Sequence, residues 1–233
     1  MAVAVVIPTY NEKENLPLLV EGLLALPLDL VLFVVDDNSP DGTGAVADAL
    51  ARERPQVRVI HRQGKGGRGS ACIAGFRAAL ALPYVTHVVE MDADLSHDPG
   101  ELPALVEKGQ QVDVAIASRY LPGSRIVNWP WQRRLFSRLA NLYARACLGI
   151  PIHDYTNGYR CYRREALASL DLDAIRTRGY IVLSEIAYRL YRQGCTFGEL
   201  PTCFVNRERG RSNTSLAEVW EAFRGIRSIR QAG

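Results

Sequence analysis

The sequence lacks the long apolar runs of a membrane-spanning protein. Its longest stretch without a charged residue is the twelve residues from Ala78 to Val89, whereas a helix that crosses a bilayer needs about 20 apolar residues. The apolar residues from Met1 to Ile7 have no basic leader and run directly into Pro8, which indicates a buried strand and not a signal peptide. We therefore expect a cytoplasmic chain that does not itself cross a membrane.

Cysteine and histidine do not form any pattern typical of a disulfide framework or a metal site. The cysteines are odd in number and include no C-x-x-C pair, so they are typical of free thiols in a reducing compartment. The histidines lack the spacing of metal ligands, and we expect them to be structural or exposed. These residues are Cys72, Cys147, Cys161, Cys195 and Cys203, and His61, His87, His97 and His153.

Lysine is absent from the second half of the chain, where arginine replaces it. Up to Ser118 there are nine Lys and Arg against sixteen Asp and Glu, a net charge of −7. From Arg119 onward there are nineteen Arg against nine Asp and Glu, a net charge of +10. Acidic groups can hold a cation, and basic groups can receive phosphates or an anionic membrane surface. The alternative, two ordinary solvated surfaces, stays open at this point.

The first half of the chain alternates between apolar, β-branched runs and amphipathic segments. The apolar runs predict strands at about 3–7, 30–35, 57–60, 86–91 and 112–117. Strands that alternate with helices imply right-handed crossovers and a mainly parallel sheet flanked by helices. We expect Asn11 and Glu14 to cap the first helix, and Ser39 and Pro40 to begin the second. A length of 233 residues fits one such α/β domain.

The second half is less regular and shows no clear domain boundary. It predicts helices at about 132–148, 181–191 and 216–229 and a strand at about 196–205. We interpret this basic half as an elaboration of the same domain.

Polar residues follow four of the predicted strands, at 8–12, 36–39, 92–94 and 118–120. In mainly parallel sheets, ligands bind outside the carboxyl ends of the strands, so these segments predict a site at one edge. No G-x-G-x-x-G follows the first strand, and the glycine-rich loop at 64–67 is not a Walker A sequence. Both absences disfavour a dinucleotide-binding or P-loop protein.

Asp92-Ala93-Asp94 is the most informative of these segments. Alternate side chains at a strand end point the same way, and two such carboxylates can hold Mg²⁺ or Mn²⁺ together with substrate phosphates. The cation would neutralise a leaving diphosphate. The alternative is an ordinary capped turn. Nearby, Asp37 could accept hydrogen bonds from a base or ribose, and Lys65 could contact a phosphate or be a plain exposed loop residue.

Several segments in a fixed order resemble the family 2 inverting glycosyltransferases of GT-A fold. Within that family they are most similar to the dolichol-phosphate or polyprenol-phosphate mannose synthases. The resemblance covers nearly the whole chain. The segments that carry it are Val6–Glu12, Val34–Thr43, Met91–His97, Ser118–Tyr120, Asp154–Arg160 and Phe204–Arg207.

The resemblance implies a single GT-A domain over 1–233, with a Rossmann-like sheet. Residues 1–118 would bind a nucleotide-sugar, and 119–233 would face the acceptor and the membrane. It implies transfer of mannose from GDP-mannose to a polyprenyl monophosphate, with inversion and with Mg²⁺ or Mn²⁺ as cofactor. A phosphate monoester is largely ionised at neutral pH, so this acceptor needs positioning cations more than a general base.

The resemblance also implies roles for individual residues. The nucleoside pocket would include Pro8, Tyr10, Glu12, Val35 and Asp37. The diphosphate and metal site would include Asp92, Ala93 and Asp94, with Ser96 completing the metal coordination directly or through water. Donor or acceptor phosphates would contact Arg119 and Arg207. Lys65, from its place in the glycine-rich loop, and Asn213 are the other residues that we expect at the donor site.

Two positions depart from the family pattern. Gly210-Arg211-Ser212-Asn213 stands where the family usually has Gly-x-Ser-Lys, so Asn213 cannot supply the expected positive charge, although Arg209 or Arg211 could. Asn157 stands where these synthases carry a smaller residue. Both departures bear on the sugar and the lipid more than on the class of enzyme. Another donor or acceptor, such as UDP-glucose or a saccharide, and a non-catalytic protein that binds sugar nucleotides are therefore the alternatives.

The sequence ends without the carboxy-terminal membrane spans of many relatives, so we expect a peripheral membrane protein or one with an anchoring partner. The segment 132–148, with Trp129 and Trp131 before it, could lie at a membrane interface with its arginines on anionic headgroups. The alternative for this segment is core packing with a solvated basic face. A nucleic acid is not an expected partner, because half of the chain is acidic and no aromatic platform accompanies the arginines.

Overall fold

The computed structural model describes residues 1–175, 177, 179, 181–206 and 225–231. Nine strands form in this part of the chain, most of them short, apolar and buried. They are β1 (Ala2–Thr9), β2 (Asp29–Asp36), β3 (Val57–His61), β4 (Val85–Glu90), β5 (Val114–Ser118), β6 (Arg125–Val127), β7 (Arg160–Arg163), β8 (Phe197–Pro201) and β9 (Cys203–Val205).

Seven of these strands form one central sheet in the order β3-β2-β1-β4-β7-β5-β8. All are parallel except β7, which pairs antiparallel with both β4 and β5. Thr9 lies opposite Asp36 in the register of β1 and β2, so the carboxyl ends of these strands meet at one edge. The strands β6 and β9 form a separate parallel pair.

Helices cover both faces of the sheet. They are α1 (Leu16–Leu24), α2 (Thr43–Glu53), α3 (Arg68–Leu80), α4 (Leu102–Gln111), α5 (Trp131–Leu148), α6 (Arg164–Ala168) and α7 (Ile181–Arg192). A further helical stretch occupies 225–231. None of the described helices is both long enough and apolar enough to cross a membrane.

Side chains of β1 alternate between two buried clusters, as expected for a strand covered on both faces. Val3 and Val5 pack in the cluster with α1 and α4, whereas Ala4 and Val6 pack in the cluster with α3, α5 and α7. The helix α3 lies very close to the sheet at Gly75, where an added Cβ would collide with the side chain of Val6. This close packing fixes the start of α3 beside the strand ends.

The expected caps of the first two helices are wrong. Asn11 has a positive φ of 62° and its N–H bonds to the hydroxyl of Ser39, while α1 begins only at Leu16. The hydroxyl of Ser39 in turn donates to Asp36, and α2 begins at Thr43 after Gly42. The polar residues that resembled caps instead join the loops after β1 and β2 to each other.

The single strand expected at 196–205 is two strands in two different sheets. Thr202 interrupts it, with its N–H bonded to the carbonyl of Ser118 and its hydroxyl to Glu101. Of the helix expected at 216–229, only the part from 225 lies within the described residues, and that part is helical.

Candidate active site

Polar segments after β1, β2 and β4 meet the start of α3 in one open pocket. The residues that line it are Pro8, Thr9, Tyr10, Glu12, Asp37, Lys65, Gly67, Arg68, Ala71, Asp92, Ala93 and Asp94. Eight of the residues expected at the donor site therefore lie together, namely Pro8, Tyr10, Glu12, Asp37, Lys65, Asp92, Ala93 and Asp94.

Asp37 fixes the glycine-rich loop that precedes α3. Its Oδ1 accepts from the N–H of Gly66 at 3.0 Å and its Oδ2 from the N–H of Gly67 at 2.7 Å. The guanidinium of Arg62 also bonds to Oδ1. Gly67 needs its positive φ of 84° for this geometry, a conformation that glycine adopts without strain. A contact between Asp37 and a base or ribose stays a prediction.

Lys65 extends from this loop over the aromatic ring of Tyr10. Its Nζ lies 3.8 Å from the ring centroid, well within the range of a cation–π interaction. The interaction holds a positive charge at the edge of the pocket that Asp92 and Asp94 also line. Its predicted contact with a phosphate remains to be tested.

The two carboxylates of the Asp92-Ala93-Asp94 segment have different surroundings. Oδ1 of Asp92 accepts from Nε of Arg68 at 2.6 Å, whereas Oδ1 of Asp94 accepts from the N–H of Ser96 at 3.1 Å. Leu95, between Asp94 and Ser96, has a φ of 60°. The capped turn weighed as an alternative is thus present, and it leaves both carboxylates in the wall of the pocket.

The oxygen donors of this turn suit a hard divalent cation, for which carboxylates are the preferred protein ligands. Asp94 is the residue that would hold it, with Asp92 beside it. Ser96 is only 3% exposed and does not line the pocket; its coordination of the metal, directly or through water, stays a prediction. Among the described residues, no group of three His, Cys, Asp or Glu side chains converges in the manner of a closed metal site.

His97 is buried and bonds to the backbone of the turn. Its Nδ1 accepts from the N–H of Asp92 at 3.2 Å, so Nε2 carries the proton and donates to Oδ1 of Asn157 at 2.9 Å. The ring also stacks on Tyr159 with centroids 5.0 Å apart. The expectation that His97 is structural is confirmed.

Asn157 explains one of the two departures from the family pattern. It is buried, and its side-chain amide donates to the carbonyl of Ala117 at the end of β5 while its oxygen accepts from His97. A smaller side chain would not span both groups. Asn157 therefore connects the turn after β4 to the end of β5.

Arg119 does not line the pocket but forms a buried ion pair with Asp154. Its Nε and Nη2 donate to the two carboxylate oxygens at 2.7 and 2.8 Å. Burial alone would raise the pKa of Asp154, but the charge of Arg119 and hydrogen bonds from Arg119 and Thr156 outweigh it and hold this pKa below its ordinary value. The Arg119 guanidinium also lies 5.3 Å from the ring centroid of Phe204 and 5.4 Å from that of Trp129.

The remaining three expected site residues are one buried residue and two that lie outside the described part of the chain. Val35 is fully buried in the core and does not line the pocket. Arg207 and Asn213 lie outside the described residues. Whether either contacts a phosphate stays a prediction.

Two arginines that were not predicted as site residues contact the segments described above. Arg68 lines the donor pocket, and its place directly after the glycine-rich loop was a usable signal. Arg133 lies over Trp129 at 4.2 Å and donates to Asn206 at 3.2 Å. Nothing in the spacing of Arg133 distinguishes it from the neighbouring Arg134.

Comparisons with known sequences identify the family. Residues 4–171 match the family described as Glycosyl transferase family 2. Polyprenol monophosphomannose synthase from Mycolicibacterium smegmatis is 47% identical over 220 residues, which cover 94% of this chain and 83% of that protein. Undecaprenyl-phosphate mannosyltransferase from Micrococcus luteus is 46% identical over 222 residues, which cover 95% and 91%. Dolichol-phosphate mannosyltransferase from Pyrococcus furiosus is 36% identical over 97% of this chain and 63% of its own length.

A solved structure supports the fold. Glucosyl-3-phosphoglycerate synthase from Mycobacterium tuberculosis, crystallised with Mn²⁺, UDP-glucose and phosphoglyceric acid, superimposes with a TM-score of 0.70 at 22% identity and covers 99% of this chain and 80% of that one. At this identity the likeness concerns the fold alone, and it agrees with the predicted GT-A arrangement. The family match over residues 4–171 and the relatives at 46–47% identity show that this chain belongs to glycosyl transferase family 2 and is a glycosyltransferase.

Proposed function

We propose that this enzyme transfers mannose from GDP-mannose to a polyprenyl monophosphate with inversion at the sugar. The observation that carries the proposal is the identity of 47% and 46%, over nearly the whole chain, to two enzymes named for mannosyl transfer to polyprenyl phosphates. The donor pocket of the structure, with its adjacent carboxylates and lysine, supports the same chemistry.

At the donor side, Asp94 would hold Mg²⁺ or Mn²⁺ with Asp92 beside it, and Lys65 would add a positive charge near the phosphates. The divalent cation supplies neutralisation of the charge that develops on the leaving diphosphate. The Asp37-bound glycine loop and the Tyr10 ring give the nucleoside a rigid wall.

At the acceptor side, the attacking group needs positioning more than activation. A lipid phosphate is already largely ionised at neutral pH, so one of its oxygens can attack the sugar without a strong general base. Arg133 lies over the ring of Trp129 and supplies positive charge there, and Arg119, whose guanidinium is paired with Asp154, lies near the same ring. Arg207 would add to this positive charge. Holding two phosphates close together is then the main task of these cations.

The exposed face of α5 is the surface that we propose to lie on an anionic bilayer. Trp131, Leu135, Leu139 and Leu142 are between 51% and 69% exposed, so core packing, the alternative for this segment, is wrong for these side chains. Arg134, Arg138 and Arg145 follow the same helical spacing along one edge of this apolar stripe. An apolar stripe beside a row of arginines is complementary to acyl chains beneath anionic headgroups. This surface of α5 would then both hold the enzyme at the membrane and bring its site to the lipid acceptor.

The proposal is tested by a matrix of labelled donors and acceptors. The protein is incubated with labelled GDP-mannose or UDP-glucose, with Mg²⁺ or Mn²⁺, and with a short polyprenyl phosphate or a free saccharide. We expect label in the lipid fraction only for GDP-mannose with the polyprenyl phosphate. Transfer from UDP-glucose would identify the other donor, and binding of either nucleotide without turnover would support a non-catalytic protein.

A further inference from the structure

Arg68 occupies the floor of the donor pocket, where three segments of the chain converge. It is the first residue of α3, and its side chain is 12% exposed. Its Nε donates to Asp92 at 2.6 Å, its Nη1 to Glu90 at 3.2 Å and its Nη2 to the carbonyl of Gly158 at 3.4 Å. One guanidinium thus links the end of β4 to the turn before β7.

The surroundings of Arg68 are shaped for a guanidinium. Glu90 is fully buried, and burial of a carboxylate is unfavourable unless a cation and hydrogen bonds compensate for the lost water. Its Oε1 accepts from the hydroxyl of Tyr162 at 2.6 Å and its Oε2 from Arg68. Burial, with Glu90 beside it, raises the pKa of Tyr162 well above its ordinary value, so this hydroxyl stays a donor. At Gly158, an added Cβ would collide with Nη2 of Arg68.

Of the two pocket carboxylates, Asp92 accepts a hydrogen bond from Arg68. The planar guanidinium restricts Asp92 to one orientation through a short, charge-assisted hydrogen bond. Asp94 is oriented by the N–H of Ser96 instead. Glu90, Asp92 and Asp94 together carry three negative charges at one strand end, and a nucleoside diphosphate adds more. Arg68 places a positive charge among them.

We propose that Arg68 is a positioning residue of the donor site, which orients Asp92 and lowers the repulsion between the acidic strand end and the donor diphosphate. The inference rests on the proposed function only in that the pocket binds a nucleoside diphosphate. A positioning role for Arg68 predicts opposite changes in two binding affinities, which a purely structural role does not. Without Arg68 the strand end becomes more negative, so a free divalent cation binds more tightly while a nucleoside diphosphate binds more weakly.

The test compares Glu90→Gln with the double variant Arg68→Met, Glu90→Gln. Removal of Arg68 alone would leave the charge of Glu90 buried without its cation and risk unfolding. Glu90→Gln removes that charge, and its amide oxygen can still accept from the hydroxyl of Tyr162. The two proteins then differ only at Arg68. Binding of GDP and of UDP without metal is measured by calorimetry, and binding of Mn²⁺ without nucleotide by electron paramagnetic resonance. Thermal unfolding confirms that both are folded.

We expect the nucleotide that binds Glu90→Gln to bind the double variant about tenfold more weakly, which corresponds to the loss of one charge-assisted interaction, and Mn²⁺ to bind it more tightly. Arg68→Lys with Glu90→Gln, which keeps the charge, should recover part of the nucleotide affinity. Equal affinities in all three proteins, with a change only in thermal stability, would overturn the inference. These readouts need no lipid and no transfer, so a failure of mannosyl transfer alone would count against the proposed function and not against the role of Arg68.

Discussion

Asp92 and Asp94 stand one residue apart in the sequence, yet the folded chain gives them different partners. Arg68 holds the first, and the backbone of the following turn holds the second. The sequence predicted that both carboxylates share one pocket because they follow directly after a recognisable strand. It did not distinguish their partners, because Arg68 lies 24 residues away and reaches Asp92 only through the packing of α3 on the sheet.

Asp94→Asn should reduce transfer strongly while the fold survives. Asparagine keeps an oxygen that can accept from the N–H of Ser96 but lacks the negative charge with which a carboxylate holds a hard cation. We expect kcat/KM to fall by about 100-fold or more, as is typical when charge stabilisation of a transition state is lost. The matched control is Asp98→Asn in the same turn, whose side chain does not line the pocket. A loss of similar size in the control would show that the turn, and not the metal ligand, had been damaged.

The buried pair of Arg119 and Asp154 should matter for stability as well as for the acceptor side. Asp154→Ala leaves Arg119 in a buried position without this carboxylate, which is expected to lower the free energy of unfolding by about 3–5 kcal/mol at pH 7. Because the folded pKa of Asp154 lies below its ordinary 3.8, the pair stabilises the native state above that value and this contribution is lost as the pH falls through the folded pKa. Urea unfolding of the unchanged protein and of Asp154→Ala, at pH 7 and near pH 3, measures the difference in their free energies of unfolding. If this difference is as large near pH 3 as at pH 7, the account is contradicted.

At the level of elements, the strands with continuous apolar, β-branched sequences were predictable and β7 was not. The four residues of β7 include two arginines, and they join the sheet antiparallel between β4 and β5 only after a long excursion through α5. No local sequence pattern predicts such a strand. The capping residues failed for a related reason. Asn11 and Ser39, which belong to separate loops, bond to each other, and a local motif does not reveal such a contact.

The helix α5 gives a prediction about the membrane. Leu135→Glu with Leu142→Glu places two charges on the exposed apolar stripe, and we expect at least about a tenfold loss in partitioning onto anionic liposomes, given roughly 1.5–3 kcal/mol for each buried leucine. Sedimentation with vesicles that contain phosphatidylglycerol measures it. Leu18→Glu is the matched control, since Leu18 is a similarly exposed leucine of α1 at 53%.

Two results would contradict the assignment of this face. One is unchanged sedimentation of the α5 variant, and the other is an equal loss in the Leu18→Glu control. Unaltered thermal unfolding of the variants is required in either case, because the replaced leucines are exposed and their replacement should not disturb the core.

Across the molecule as a whole, the division into an acidic and a basic half describes function only in part. The acidic half supplies the pocket carboxylates, as the sequence suggested. Several arginines of the basic half are internal, however. Arg160 is fully buried and donates to backbone carbonyls, and Arg164 bonds to the carbonyls of Leu80 and Leu82 at the end of α3. Net charge counted along the chain cannot separate these structural cations from those proposed to face a lipid.

The central claim is that the enzyme transfers mannose to a lipid phosphate with inversion. The anomeric configuration of the lipid product tests this claim most directly. The enzyme is incubated with GDP-α-mannose, Mn²⁺ and a short polyprenyl phosphate, and the purified product is examined by proton and phosphorus nuclear magnetic resonance. Attack by the lipid phosphate in line with the departing diphosphate predicts a β-mannosyl phosphate. An α-linked product, or release of free mannose without any lipid-linked sugar, would contradict it.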